Sequence, residues 1–410
     1  MSKLEELIAK YCPDGVEYVK IEDICIKISS GGTPNTSRSD YYGGNIPWLR
    51  TQEVDWVDIK DTGVKITNEG LQNSSAKWLP KNCVIVAMYG ATAAKVAVNK
   101  IPLTTNQACC NLQVDANKAI YRYVYYWLAS KYNDLKDLGQ GSQSNINAKI
   151  IRNFPIPLPP LPVQREIVRI LDNFTELTEE LTKELTARKK QYEYYRDKLL
   201  TFGDEVPVVR LGDIGTIIRG SGLKKSDFTD NGIRCIHYGQ IYTYYGTFTY
   251  DTKSFVSPEL AAKLKKVNSG DIIIAVTSEN IEDVCKCVAW LGEDDIVTGG
   301  HTAILKHNQN PKFIAYYLQT SSFFKQKCKI AHGTKVIEVA PKELEKILIP
   351  LPPLEEQERI VAILDRFDTL CNDLTSGLPA EIEARRKQYE YYRDKLLSFP
   401  KRSADKKVTA

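Results

Sequence analysis

The sequence predicts an α+β fold made in duplicate: two mixed α/β globular segments, each followed by a long helix, with the helices paired as a coiled-coil spacer in a pseudo-twofold internal repeat. Three observations lead there. Ala187–Phe202 (ARKKQYEYYRDKLLTF) and Ala384–Phe399 (ARRKQYEYYRDKLLSF) match at 14 of 16 positions, and the exceptions, Lys189/Arg386 and Thr201/Ser398, keep their chemistry. Each copy is preceded by IPLPPL, at Ile156–Leu161 and at Ile349–Leu354. Between Pro162 and Phe202 no Pro or Gly interrupts a run in which Ile167, Ile170, Phe174, Leu177, Leu181, Leu185, Tyr192, Tyr195, Leu199 and Phe202 mark one face at helical spacing. The period is far longer than a solenoid unit, so a two-part module has been duplicated.

Taken in order, residues 1–155 form the first globular domain. MSKLEELIAK is a short amphipathic helix, Pro13-Asp14-Gly15 is a turn, and Val16 to Ile28 alternates as a strand should. Gly31-Gly32-Thr33-Pro34 marks a loop, strands are expected at Ile46 to Arg50, Cys83 to Met88 and Lys95 to Val98, and a helix at Ala119 to Lys131. A second polar loop, Gly139 to Asn147, leads to the central spacer helix at 156–203, with Pro162 in its first turn, where a missing N–H costs nothing. Forty residues or so give a rod of roughly 60 Å. A helix so long and so polar outside needs a partner helix, and the other copy is the candidate within the chain.

Residues 204–348 echo the first domain loosely. Val209 to Ile214 resembles Val19 to Ile24, Arg219 to Lys225 replaces the Gly31 loop, Ile272 to Ala275 matches Val84 to Ala87, and Phe313 to Thr320 matches Tyr123 to Ser130. The distal spacer helix, 349–399, meets Gly377-Leu378-Pro379. An interior Pro costs about 3 kcal/mol, which predicts a kink or a stop and restart with Pro379 near a new first turn. The tail 400–410 (PKRSADKKVTA) reads as disordered. Leu177, Leu181 and Leu185 head the four-residue units LTEE, LTKE and LTAR, and the other copy is four residues longer across this tract. Each unit adds about 6 Å of rise and about 40° of rotation, so the tract is either an adjustable spacer or simply a favourable helix former.

Composition sets outer bounds. A length of 410 residues accommodates two to three domains, and a net charge of +4 excludes a polybasic tail protein while admitting a nucleic-acid binder with charge gathered on one face. Ten Cys without CxxC and without a secretory signal read as free thiols, and no apolar run approaches the roughly 18 residues of a membrane span, so a soluble cytoplasmic protein is expected.

Catalytic signatures are missing. His237, His301, His307 and His332 lack ligand spacing, and Cys109-Cys110 and Cys285-x-Cys287 are no zinc ribbon. Gly220 to Ser226 lacks the spacing of a phosphate loop, and Asp58-Ile59-Lys60 is a nuclease-like triplet of a kind that chance supplies. The chain reads as non-catalytic by itself, with no metal or cofactor of its own. What remains is recognition chemistry, the Arg, Lys, Asn, Gln, Thr, Tyr and His side chains that bond phosphates and base edges. The first domain offers Thr33, Arg38, Tyr42, Arg50, Gln52, Asn106, Gln107, Gln143 and Asn145. The second offers Arg219, Lys224, Lys225, His237, Gln240, Tyr242, Tyr244, Tyr245 and Lys335.

With IPLPPL followed by Gln164 and Ile167 to Asp172, its echo LEEQERIVAILD at Leu354 to Asp365, and the twin QYEYYRDKLL segments, the chain resembles the specificity (S) subunits of type I restriction-modification systems. Gly31-Gly32-Thr33-Pro34, Ile46 to Arg50 and Thr105-Asn106-Gln107 extend the resemblance into the first globular part. It implies two target-recognition domains, each reading half of a split, asymmetric double-stranded DNA site. It also implies an antiparallel helical spacer and two docked methyltransferase (M) subunits, with restriction (R) subunits joining for cleavage. S-adenosylmethionine, ATP and Mg would then belong to those partners, which carry out DNA methylation and restriction.

The residues lead to a similar expectation. Segments that stay identical within one chain do the same job twice, and segments that diverge do different jobs. Tyr192, Tyr194, Tyr195 and Arg196, with Tyr389, Tyr391, Tyr392 and Arg393, carry more aromatics than one helical seam holds, so some of them face a partner. The plainer alternative packs all of them between the helices. Two other functions stay open at this point: a scaffold that clamps two copies of one protein without touching DNA, and a stand-alone nuclease using Asp58 and Lys60.

Overall fold

A computed structural model describes residues 2–139, 145–373 and 375–402. The chain divides into two compact units, 1–179 with 384–410, and 180–383. Each contains one globular module and segments of both long helices.

In the first unit the inner strands Val84–Ala87 and Val96–Asn99 are buried at every position, as continuous apolar runs covered on both faces must be. They lie within a five-stranded sheet in the order Cys25–Ser30, Cys109–Val114, Val84–Ala87, Val96–Asn99, Asp58–Ile59. A three-stranded sheet sets Tyr42–Leu49 between Lys65–Ile66 and Thr104–Thr105, with Trp48 opposite Thr104 and Leu49 opposite Thr105 in parallel register. The second unit repeats this order with Gly215–Arg219, Thr302–His307, Ile272–Ala275, Cys287–Trp290 and Phe248–Thr249. A four-stranded sheet there pairs Ile236 with Thr298, again in parallel. The correspondence reaches the backbone: Ala94 (φ +68°) and Cys285 (φ +65°) hold the same left-handed position, each donating its N–H to the strand it turns back on, at Ala87 and at Ala275. Such a conformation is uncommon for a side-chain-bearing residue.

The strand expected over Val16 to Ile28 is interrupted. Tyr18–Lys20 pairs with Pro155–Pro157, a tight turn occupies Ile21–Ile24, and Cys25–Ser30 then enters the main sheet. The turn forms because the Asp23 carboxylate accepts the Lys20 N–H at 3.0 Å, a closure that Asp213 repeats on Arg210 at 3.1 Å. The tail does not begin as disorder: Val16 donates to the Pro400 carbonyl at 2.9 Å and accepts from the Arg402 N–H at 2.9 Å, while residues from Ser403 lie outside the described ones.

The central helix runs Leu161–Leu199, and the distal one is two helices, Leu354–Asn372 and Leu378–Leu397, with Pro379 second in the restart. Gly377 marks the break for a steric reason. A Cβ there would lie 2.4 Å from the Thr369 carbonyl oxygen and 2.8 Å from that of Asp373.

The apolar stripes of these helices enter the cores of the globular modules. In the first unit Val163, Ile167 and Leu171 share one core with Tyr123, Tyr126, Leu397 and Phe399. In the second, Ile360, Leu364 and Cys371 share one with Phe313, Tyr316, Tyr192 and Leu200. The helix segments of the second unit meet at Phe367, against which Tyr192 and Tyr195 pack at 6.5 and 5.7 Å between ring centroids. In the first unit Phe174 stacks on Tyr392 at 5.5 Å. No helix among the described residues is long and apolar enough to cross a membrane.

Candidate nucleic-acid interface

In the first unit the candidate side chains gather because the Gly31 loop is tied to two strand ends. Gly32 donates to the Thr105 carbonyl at 2.9 Å, Trp48 Nε1 donates to the Gly32 carbonyl at 2.9 Å, and Asn106 donates to the Leu49 carbonyl at 2.9 Å. This places Thr33, Arg50, Gln52, Asn106 and Gln107 on adjoining loops, with the Thr33 hydroxyl donating to the Gln107 side-chain carbonyl. Tyr42 joins them through its hydroxyl, which donates to the Pro34 carbonyl at 2.7 Å. Asn145 is linked from the other side: its side-chain oxygen accepts the Gly90 N–H at 3.2 Å, and Thr92 bonds the Thr51 carbonyl at 2.7 Å. Arg38 is exposed and already engaged, bonded twice to Asp40 at 2.9 and 2.7 Å. Gln143 lies outside the described residues.

In the second unit Arg219, paired with Glu338 at 2.6 Å, joins the main sheet to the hairpin that carries Lys335. Gly333 at φ +114° makes that hairpin possible, because a Cβ there would lie 2.0 Å from the Val336 carbonyl oxygen. Lys224 and Lys225 stand exposed on a loop whose Leu223 packs against Gly299. Gln240 is held by Ser254 at 2.6 Å, Tyr242 donates to the Thr277 carbonyl at 2.5 Å, and the Tyr245 hydroxyl accepts the Lys253 N–H at 2.8 Å. Burial raises the phenols of Tyr242 and Tyr245, the latter to about 12, so both stay protonated hydrogen-bonding groups. Tyr244 is 58% exposed, with the Lys253 ammonium over its ring.

His237 departs from expectation. It is 5% exposed, its Nδ1 accepts the Gly239 N–H at 3.2 Å, and burial, then the charges of Lys225 and His301, lower its pKa. It holds the loop from beneath rather than presenting a surface contact. The exposed imidazole is its neighbour His301, whose Nδ1 lies 2.9 Å from the Thr277 hydroxyl and whose ring lies 4.8 Å from that of Tyr238. Tyr238 and His301 are absent from the sequence-derived candidates. Aligning the two copies of the parallel strand pair points to His301, since Gly299-Gly300-His301 follows Thr298 as Asn106-Gln107 follows Thr105.

The twin helices divide their aromatics identically. Tyr192 is 5% exposed, a core residue, and Tyr389 is half-buried against the first unit's core, so these two, expected among partner contacts, face inward. Arg196 and Arg393 lie over them at 5.6 and 5.7 Å. Tyr195 and Tyr392 stack on Phe367 and Phe174. Tyr194 and Tyr391 remain 60% and 62% exposed. Asp58 is engaged in ion pairs, with Arg122 at 2.9 Å and Lys100 at 3.4 Å.

Two modules of one fold with different loop chemistry, each packed against its own copy of one aromatic helix, define an internally duplicated two-module protein. The chain belongs to the family of type I restriction-modification specificity subunits: the model of the type I restriction modification DNA specificity domain matches twice, at residues 13–188 and 203–384. The chain is 38% identical over 302 residues to the EcoR124I/EcoR124II specificity subunit of Escherichia coli, covering 70% of this chain and 73% of that one. It is 31% identical over 404 residues to the putative specificity subunit S.HindORF215P of Haemophilus influenzae, covering 94% and 96%. Among solved structures, a chain from a study of type I restriction-modification complex assembly shares the fold at TM-score 0.63 and 20% identity, over 94% of this chain and 98% of that one.

Proposed function

We propose that this chain gives a type I restriction-modification complex its DNA specificity, the first unit reading one half of a bipartite, asymmetric site and the second unit the other. The observation that carries this is paired sameness and difference. The surroundings of Tyr192, Tyr194 and Tyr195 recur at Tyr389, Tyr391 and Tyr392, whereas the turn after the parallel strand carries Arg50 in one unit and a buried His237 in the other. Identical helices suit two copies of one partner, the M subunits, and divergent loops suit two different half-sites. R subunits join for cleavage. Methyl transfer and cleavage reside in those partners, which bring S-adenosylmethionine, ATP and Mg. The complex works in the cytoplasm, where its DNA is.

The test is an exchange of residues 1–150 for those of another specificity subunit, expressed with the M partner and followed by methylome sequencing. One half of the methylated motif changes and the other stays. A change in both halves, or in neither, refutes the proposal.

A further inference from the structure

We propose that Arg50 reads a guanine in the half-site of the first unit, an inference that rests on that unit being a DNA reader. Arg50 follows directly on the strand Tyr42–Leu49, whose last residue pairs with Thr105, and Glu53 fixes its backbone. The Glu53 carboxylate accepts the N–H of Arg50 at 3.2 Å and that of Gly63 at 2.7 Å. It therefore sits 3.7 Å from Arg50 Nε, near enough to attract the guanidinium and too far to bond it. Nε is sealed from solvent with no hydrogen-bond partner, although 40% of the side chain is exposed. Two further basic groups of the unit are already paired, Arg38 with Asp40 and Lys95 with Asp55 at 2.6 Å.

A guanidinium rooted at its base, with donors unused at its tip, matches an acceptor pair. Guanine offers one in the major groove through O6 and N7. The surroundings favour a base over a phosphate: the adjoining loops present the uncharged hydrogen-bonding groups of Thr33, Asn106 and Gln107. The corresponding position of the second unit has the same closure, with the Gln240 side-chain oxygen accepting the His237 N–H at 3.1 Å, but a buried ring replaces the open cation. A base-reading position diverges in this way between two halves of an asymmetric site.

The experiment uses the full-length subunit assembled with its methyltransferase partner, as wild type, Arg50→Ala, Arg50→Gln and Arg50→Lys, with methylome sequencing of the host. In the Arg50→Ala complex one guanine of one half-site becomes degenerate, its discrimination falling roughly five-fold to a hundred-fold, while the other half is unchanged. If Arg50→Ala yields no methylation, Arg50→Gln, which keeps a polar side chain but lacks the guanidinium, is scored for the same loss. Weaker methylation at an unchanged motif, least so for Arg50→Lys, identifies a phosphate contact and overturns the proposal, as does relaxation at a base other than guanine. A wild-type complex that methylates no bipartite motif overturns the parent reading instead.

Discussion

The Tyr126 hydroxyl donates to the Asp172 carboxylate at 2.5 Å, fastening the globular module of the first unit to the helix that follows it. Tyr316 does the same to Asp365 at 2.7 Å in the second unit. A cation completes each tie, Arg122 on Asp172 at 3.1 Å and Lys312 on Asp365 at 2.8 Å. Both tyrosine rings are fully buried, and burial raises both phenols, keeping them protonated donors. Tyr126→Phe removes a bond to a charged acceptor and is expected to destabilise the first unit by about 1.5–3 kcal/mol. Tyr126→Phe and Asp172→Asn should also be strongly non-additive in a double-mutant cycle read by denaturant unfolding. Additive effects would mean that the two groups do not act together.

The exposed twin tyrosines predict a stoichiometric effect. Tyr194→Ala and Tyr391→Ala each leave the cores untouched, so each changes stability by no more than about 0.5 kcal/mol. In native mass spectrometry with the M partner, each single variant loses one bound copy and the double variant loses both. Retention of two copies by the double variant would remove these residues from the interface.

Asp368 predicts a pH dependence of unusual sign. Its carboxyl is raised above the ordinary 3.8, chiefly by burial with Asp365 adding to it, and the matching position of the first unit is Thr175. Between 3.8 and the raised value the folded protein binds more protons than the unfolded chain, so stability falls as pH rises through that window. Asp368→Asn should therefore melt higher than wild type at pH 7, with the gain shrinking toward pH 4. A gain independent of pH would show that ionisation is not its source.

The four-residue tract predicts a change of register. One further Leu-Thr-Glu-Glu unit after Glu180 adds about 6 Å of helix, which at 3.4 Å per base pair lengthens the accepted gap between half-sites by about one to two base pairs. Methylome sequencing of the insertion variant reads the gap directly. An unchanged gap would reduce the tract to a helix former.

The sequence by itself determined the duplication, the two long helices and the break before Pro379, because helical period and the prohibitions on Pro and Gly act within a few residues. It also placed the polar loops of both modules, whose Thr33, Asn106 and Gln107 do converge. Tertiary structure alone decided which tyrosines of the twin helices are core and which are surface, since Tyr389 meets Tyr126 from more than 250 positions away. Distance along the chain likewise hid the burial of His237 and the exposure of His301. Strands of two to eight residues carry too little pattern to reveal which of their ends meet, and a side chain's environment is set by those meetings.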